Sequence, residues 1–259
     1  MNSSAYNSNL YSYVLIIFYV GTIYLSCSGK IMDRKFGWFL WLLLVVFFAF
    51  NGNKGEFLYA LLAVLGIKGL EGQKISLKSL VIIALLMFLV IPSISSLRGE
   101  GIVNNLSNFK FNLFDAFTEM GMQIRTSVYS LSDLASGRVG YLYGASYWKP
   151  VVNIINPFST GTATADIRQM YPGYGYTQVI ESYMNFGLFG TLAYFSVIGY
   201  LLGKFETTFK DKLQLAYYGT ITCIFINASR NYFAFVPGQI LIVTFIYLVS
   251  RLISEKKIN

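Results

Sequence analysis

Phe186-Gly-Leu-Phe-Gly-Thr-Leu-Ala-Tyr-Phe-Ser-Val-Ile-Gly-Tyr-Leu-Leu-Gly-Lys-Phe205 runs for 20 residues and carries a single charge, Lys204, near its end. A bilayer core of about 30 Å is crossed by roughly 20 apolar residues in a helix, so this stretch reads as a membrane span. Further apolar runs lie near Leu10–Cys27, Phe36–Phe50, Phe57–Gly69, Leu77–Ile94, Leu215–Ile226 and Phe233–Ile253, which makes seven candidate spans with Phe186–Phe205 as the fifth. The second, third and sixth are short and draw on flanking residues to cross. The composition agrees: 55% of the 259 residues are hydrophobic, 17% aromatic and only 12% charged, against about a quarter charged in soluble domains. The expected fold class is an all-α integral membrane protein, a polytopic helical bundle.

The basic residues fix an expected orientation. Lys30, Arg34 and Lys35 flank the first bend; Lys68, Lys74 and Lys78 follow the third span; Lys204, Lys210 and Lys212 follow the fifth; Arg251, Lys256 and Lys257 close the chain. Alternate crossings place these twelve on one face, which the positive-inside rule makes cytoplasmic. Asp33, Glu71, Glu206, Asp211 and Glu255 share that face, leaving +7 of the net +8 there. The basic excess is therefore topological and gives no nucleic-acid patch. The segment Met1–Asn9 has no basic residue, lacks a signal peptide's charged n-region, and is expected outside; an outside start leaves room for spans upstream.

Cys27 and Cys223 sit in apolar segments without a CxxC pairing, so neither a disulfide framework nor a zinc site is indicated. There is no histidine, which excludes a histidine base and every histidine-containing metal site.

Between Ile94 and Phe186 lies a long connection with six acids (Glu100, Asp115, Glu119, Asp133, Asp166, Glu181) and six bases (Arg98, Lys110, Arg125, Arg138, Lys149, Arg168). A loop of that length is more often functional than a mere connector, and its parity places it on the extracytoplasmic face. The chain is thus expected to divide into an N-terminal membrane region, 1–94, an extracytoplasmic loop, 95–185, and a C-terminal membrane region, 186–259. Phe109–Leu134 has apolar residues at helical spacing, the pattern of an amphipathic helix lying at the interface or packing on the bundle. Ser159–Thr164 reads as coil. Tyr171-Pro-Gly-Tyr-Gly-Tyr176 is a glycine-punctuated turn, read either as a plain loop with interfacial tyrosines or as an aromatic platform for sugar rings.

Two short outer connections carry a cation each: Lys54 in Asn51-Gly-Asn-Lys-Gly-Glu56 and Arg230 in Asn227-Ala-Ser-Arg-Asn231. Cations beside apolar spans are costly without partners and point to function, or else snorkel toward headgroup phosphates. Glu181, at the entrance to the fifth span, is a carboxylate beside a membrane boundary; desolvation there suits it to general-base work. Its alternative role is a helix N-terminal acid complementing the macrodipole. Gly199-Tyr-Leu-Leu-Gly203 matches GxxxG and reads as helix packing.

The order of these features, Lys54-Gly-Glu56 opening a span, a large loop, a Gly-Tyr-Gly turn running into Glu181, Asn185, Phe186 and Gly187, and an Arg230 connector before the last span, resembles the O-antigen polymerase (Wzy-type) and oligosaccharide repeat-unit polymerase family. Phe117-Thr-Glu-Met-Gly121 and Tyr143-Gly-Ala-Ser-Tyr147, with Pro157 ten residues on, add to the likeness. It covers roughly Asn51–Ile253. Lys54 stands where such proteins often have arginine, and the chain is shorter than the ten to twelve spans usual there.

The resemblance implies a GT-C-like glycosyltransferase of the bacterial inner membrane that joins oligosaccharide repeat units carried on undecaprenyl pyrophosphate at its outer face, making O-antigen or capsular polysaccharide. Membrane lipids and a chain-length regulator are the implied partners. The chain has no DxD, P-loop or GxGxxG motif, so neither a cofactor nor a metal-bound nucleotide sugar is expected. On this reading Arg168 and Arg230, assisted by Lys54, hold the donor pyrophosphate. Glu181, or secondarily Glu119, deprotonates the acceptor hydroxyl, while Tyr174, Tyr176 and Tyr183 contact sugars. The competing readings are an O-antigen ligase and a lipid-linked oligosaccharide transporter or flippase.

Overall fold

A computed structural model describes residues 9–50, 56–72, 76–78, 81, 85, 115–156, 177–229 and 231–256, and its regular elements are all helical. They are α1 (Asn9–Cys27), α2 (Ile31–Phe50), α3 (Glu56–Leu70), α4 (Asp115–Ala135), α5 (Ala145–Ile155), α6 (Gln178–Thr208), α7 (Lys212–Ala228), a 3₁₀ turn (Phe233–Phe235) and α8 (Val236–Lys256). The apolar run Leu77–Ile94 lies almost wholly outside the described residues.

Among the described residues, two segments are long and apolar enough to cross a membrane, Gln178–Thr208 and Phe233–Ser254; Ile16–Cys27 and Ala60–Leu70 are shorter apolar helices. Their outward faces explain which solvent they suit. On α6, Leu188, Phe189 and Leu192 are 66%, 78% and 61% exposed; on α8, Leu241, Phe245, Leu248 and Leu252 follow one another at helical spacing, all more than half exposed. Leaving one such side chain in water forfeits about 1.5–3 kcal/mol, and unbroken apolar stripes of this length are foreign to soluble monomers. Lipid removes that cost.

The chain forms two compact units. The first contains α1–α3, α7 as far as Cys223 and α8 from Ile242. Its core joins Ile16, Val20 and Ile23 of α1, Leu44 of α2, Ala63, Val64 and Ile67 of α3, and Leu215 and Ala216 of α7. Gly219 admits Ile67 against the α7 backbone: a Cβ there would stand 3.0 Å from Ile67 Cγ1, with Ile67 Cδ1 nearer still. At the α1–α2 bend the Ser28 hydroxyl donates to Asp33 Oδ2 at 2.6 Å and accepts the Lys30 N–H at 3.2 Å. Tyr217 of α7 stacks on Tyr247 of α8, centroids 4.5 Å apart, and its hydroxyl bonds with Thr244 at 2.9 Å. Arg251 pairs with Asp211.

The second unit holds α4 from Phe117, α5, α6, the end of α7, the 3₁₀ turn and the start of α8. The expected amphipathic helix is present as α4, with its faces turned in an informative direction. Thr126 and Ser130 are buried, and the Ser130 hydroxyl donates to the Thr126 carbonyl at 2.9 Å, whereas Ile124, Val128 and Leu131 are exposed. An outward apolar face is what a helix lying against lipid presents.

Candidate active site

The second unit gathers polar side chains along one stripe of α6. Gln178, Glu181, Ser182 and Asn185 recur every three or four residues, the spacing that shares a helix face, and all four are buried, Glu181 to 0% exposure. The alternate face carries Ile180 and Met184, which pack with Tyr232 and, around them, Val139, Leu142, Tyr183 and Ala234. Apolar packing thus holds this segment in place while its polar stripe is sealed from solvent. Buried polar groups require partners; the Ser182 hydroxyl finds them in its own helix, at the Gln178 and Val179 carbonyls, and the other three reach distant parts of the chain.

Two of these contacts clamp the connector after α7. Glu181 Oε2 accepts the Phe233 N–H at 2.9 Å, and Gln178 Nε2 donates to the Asn231 carbonyl at 3.0 Å. The connector also braces itself: the Asn231 side chain donates to the Asn227 carbonyl and to Asn227 Oδ1, at 3.1 and 2.9 Å. A third contact reaches α5, where Asn185 Nδ2 donates to Ser146 Oγ at 2.7 Å and to the Glu181 carbonyl at 2.8 Å. Tyr147, next to Ser146, lies parallel to Tyr194 at 5.7 Å and edge-on to Phe233 at 5.0 Å. Burial, and then the nearby Glu181 charge, push the Tyr147 phenol above its ordinary value, so it stays protonated as a donor.

Four buried atoms of this cluster make no hydrogen bond of ordinary geometry among the described residues: Gln178 Oε1, Glu181 Oε1, Asn185 Oδ1 and the Tyr147 hydroxyl. Each such atom costs about 1–3 kcal/mol. The amide orientations are set by the bonds that their nitrogens make, so three acceptors and one phenol remain. Planar polar groups beside aromatic rings are suited to a polyhydroxylated ligand, whose hydroxyls donate to the acceptors.

The backbone supplies the reason the stripe ends where it does. Phe186 and Gly187 leave helical geometry, Gly187 adopting φ 65° and ψ −153°, so α6 is two helical segments across a break. The Leu142 N–H donates to the Met184 carbonyl at 2.9 Å, serving a group that an interrupted helix leaves without an intrahelical partner. Beyond the break, Gly190 lets the segments approach: a Cβ there would stand 2.7 Å from both Phe186 Cβ and the Ser182 carbonyl oxygen. Gly187→Ala tests the break. Among the described residues, a side chain at Gly187 would meet Tyr141 alone, at 3.7 Å, so the cost is strain, about 1–3 kcal/mol in that backbone region. We expect a lower thermal midpoint in detergent together with reduced activity; an unchanged midpoint would show that the break does not require glycine.

Of the residues singled out in sequence, Glu181 is at the centre of this cluster and Tyr183 is half-buried on its apolar side. Glu119 falls in α4, its side chain outside the described residues, as are Lys54, Arg168, Tyr174, Tyr176 and Arg230 altogether. The clamp nevertheless grips Asn231 and Phe233, the first and third residues after Arg230. Gln178, Ser146, Tyr147 and Tyr194 were not marked as site residues. The signal for two of them was present in Tyr143-Gly-Ala-Ser-Tyr147, which starts α5 and delivers Ser146 and Tyr147 to the stripe.

Comparison with known proteins bears on what this cluster serves. The O-antigen polysaccharide polymerase Wzy family matches residues 2–257. Protein CapE of Staphylococcus aureus is 29% identical over 247 residues, 93% of this chain and 56% of that protein. The chain therefore spans about half the length of the curated relative it matches. No solved structure matches it.

Proposed function

The chain belongs to the O-antigen polysaccharide polymerase Wzy family, and from that premise we propose that it extends a polysaccharide by joining undecaprenyl-pyrophosphate-linked oligosaccharide repeat units at the outer face of the bacterial inner membrane. The reaction is a metal-independent glycosyl transfer. An acceptor hydroxyl attacks the anomeric carbon, the bond from that carbon to the pyrophosphate oxygen breaks, the pyrophosphate leaves with the bonding electrons, and the hydroxyl proton passes to a carboxylate.

The observation that carries this reading is the buried stripe of α6. Glu181 Oε2 is fixed by the Phe233 N–H, the Ser146 hydroxyl lies beside the carboxylate, and Oε1 makes no hydrogen bond of ordinary geometry among the described residues. We assign Oε1 the acceptor's proton. Gln178 Oε1 and Asn185 Oδ1 take hydrogen bonds from sugar hydroxyls, and Tyr183, with Tyr174 and Tyr176, contacts the rings. Arg230, whose neighbours are clamped by Gln178 and Glu181, holds the donor pyrophosphate with Arg168 and Lys54. Glu119 is the second candidate for the base. Because the base is buried, the acceptor hydroxyl is brought to it inside the protein, where water does not compete.

The finer architecture belongs to the same proposal: about seven spans in a GT-C-like arrangement, with regions 1–94, 95–185 and 186–259 as membrane, extracytoplasmic loop and membrane, and a chain-length regulator as partner. Purified protein in liposomes with defined lipid-linked repeat units tests the function. Glycan elongation supports it. Movement of the lipid across the bilayer without elongation would make the protein a transporter, and transfer only to a lipid A-core acceptor would make it a ligase.

A further inference from the structure

The first unit contains a second, chemically different site. A cavity of about 290 Å³ is lined by Arg34 and Lys35 of α2, Lys68 of α3, Lys212 of α7, Glu71 just after α3, and Trp38. Four cations thus face one carboxylate, and they come from three separate bends of the chain that the fold has brought together. The carboxylate does little to neutralise them: Lys212 Nζ stands 3.7 Å from Glu71 Oε1, with the lysine side chain 63% exposed, a separation and exposure at which an ion pair is worth at most about 1 kcal/mol. Lys68 Nζ is held 5.2 Å above the Trp38 ring, an arrangement that keeps the ammonium at the cavity wall. Ser26 and Ser28 add hydroxyls to the lining.

Arg34, Lys35 and Lys212 are exposed, so their mutual repulsion is screened, but four cations converging on one cavity raise a positive potential that favours an anion among them. A phosphate group, with several acceptor oxygens and room for both guanidinium and ammonium donors, fits that demand. What lies beside the cavity selects the bearer of the phosphate. Ile31 and Trp38, which line it, are 63% and 37% exposed. A headgroup in the cavity with its acyl chains along this apolar rim satisfies both surfaces, whereas a free ion satisfies one. All four cations also belong to the face that the positive-inside rule places in the cytoplasm, where anionic lipids attract basic groups between helices.

We infer that this cavity binds the phosphodiester headgroup of an anionic phospholipid of the cytoplasmic leaflet. This site is separate from the α6 stripe and does not rest on the catalytic reading. The test uses the purified full chain supplied with equal phosphatidylglycerol and phosphatidylcholine, with retained lipid counted by native mass spectrometry. The expected result is a preference for phosphatidylglycerol on the order of tenfold, falling to near parity in Arg34→Gln/Lys68→Gln. The double variant Lys30→Gln/Lys204→Gln, which removes the same charge from outside the lining, is expected to keep the preference; circular dichroism and thermal midpoints establish that each variant is folded. Equal retention of the two lipids, or a preference that survives the cavity variant or disappears equally in both, would overturn the site. Binding of inorganic phosphate without lipid preference would make it a soluble-anion pocket and overturn the lipid assignment.

Discussion

Glu181→Gln is expected to lower polysaccharide elongation by about 10²- to 10⁴-fold, the usual contribution of a general base, with little change in thermal stability. The substitution is chosen for what it keeps. A glutamine carbonyl oxygen occupies the place of Oε2 and accepts the Phe233 N–H as the carboxylate does, so the clamp on the connector persists while the proton acceptor is lost. Glu181→Ala would remove both and could not separate them. The measurement is glycan length per molecule in the liposome assay, at matched protein. Full elongation by Glu181→Gln would reduce Glu181 to a structural strut for the connector, and Glu119→Gln would then be the variant to examine.

Arg230→Ala is expected to cost about 10²- to 10³-fold in kcat, the scale on which removing one charge-stabilising donor acts in a water-poor site. The physical case lies in the neighbourhood. Gln178 and Glu181 hold the backbone at Asn231 and Phe233, and Asn227 is tied to Asn231, so the connector on both sides of Arg230 is fixed. Such bracing is more than a headgroup-snorkelling arginine needs. Arg230→Lys is expected to recover part of the rate, because charge is restored but paired, planar contact with a pyrophosphate is not. If Arg230→Ala elongates glycans normally, the arginine serves the lipid surface and the pyrophosphate assignment moves to Arg168.

The helices were legible because apolar run length is a local property. The runs read as Leu10–Cys27, Phe57–Gly69 and Leu215–Ile226 lie within or against Asn9–Cys27, Glu56–Leu70 and Lys212–Ala228. The start of α6 was harder to see. Its helix begins at Gln178, eight residues before the apolar stretch at Phe186, because the polar side chains there are solvated by protein and not by lipid, so hydropathy falls although the helix continues. The desolvation of Glu181 follows from its place at the entrance to the fifth span, but the groups that bury it were hidden. Its burial depends on Phe233, 52 residues away, and on Ser146 contacted through Asn185; no local spacing announces either. Gly187 appeared in the motif, but its left-handed φ emerges only from the three-dimensional course of the chain.

The break at Phe186 and Gly187 gives one helix two regimes of tolerance. Past it, Leu188, Phe189, Leu192 and Val197 are open outward on a segment apolar enough to cross a membrane; acyl chains conform to any apolar shape, so exchanges among leucine, phenylalanine, valine and isoleucine should drift there freely. Before it, Gln178, Glu181 and Asn185 each answer to a named atom elsewhere in the fold, and a replacement must answer to the same atom. A mutational scan of α6 should therefore change character abruptly between two adjacent turns.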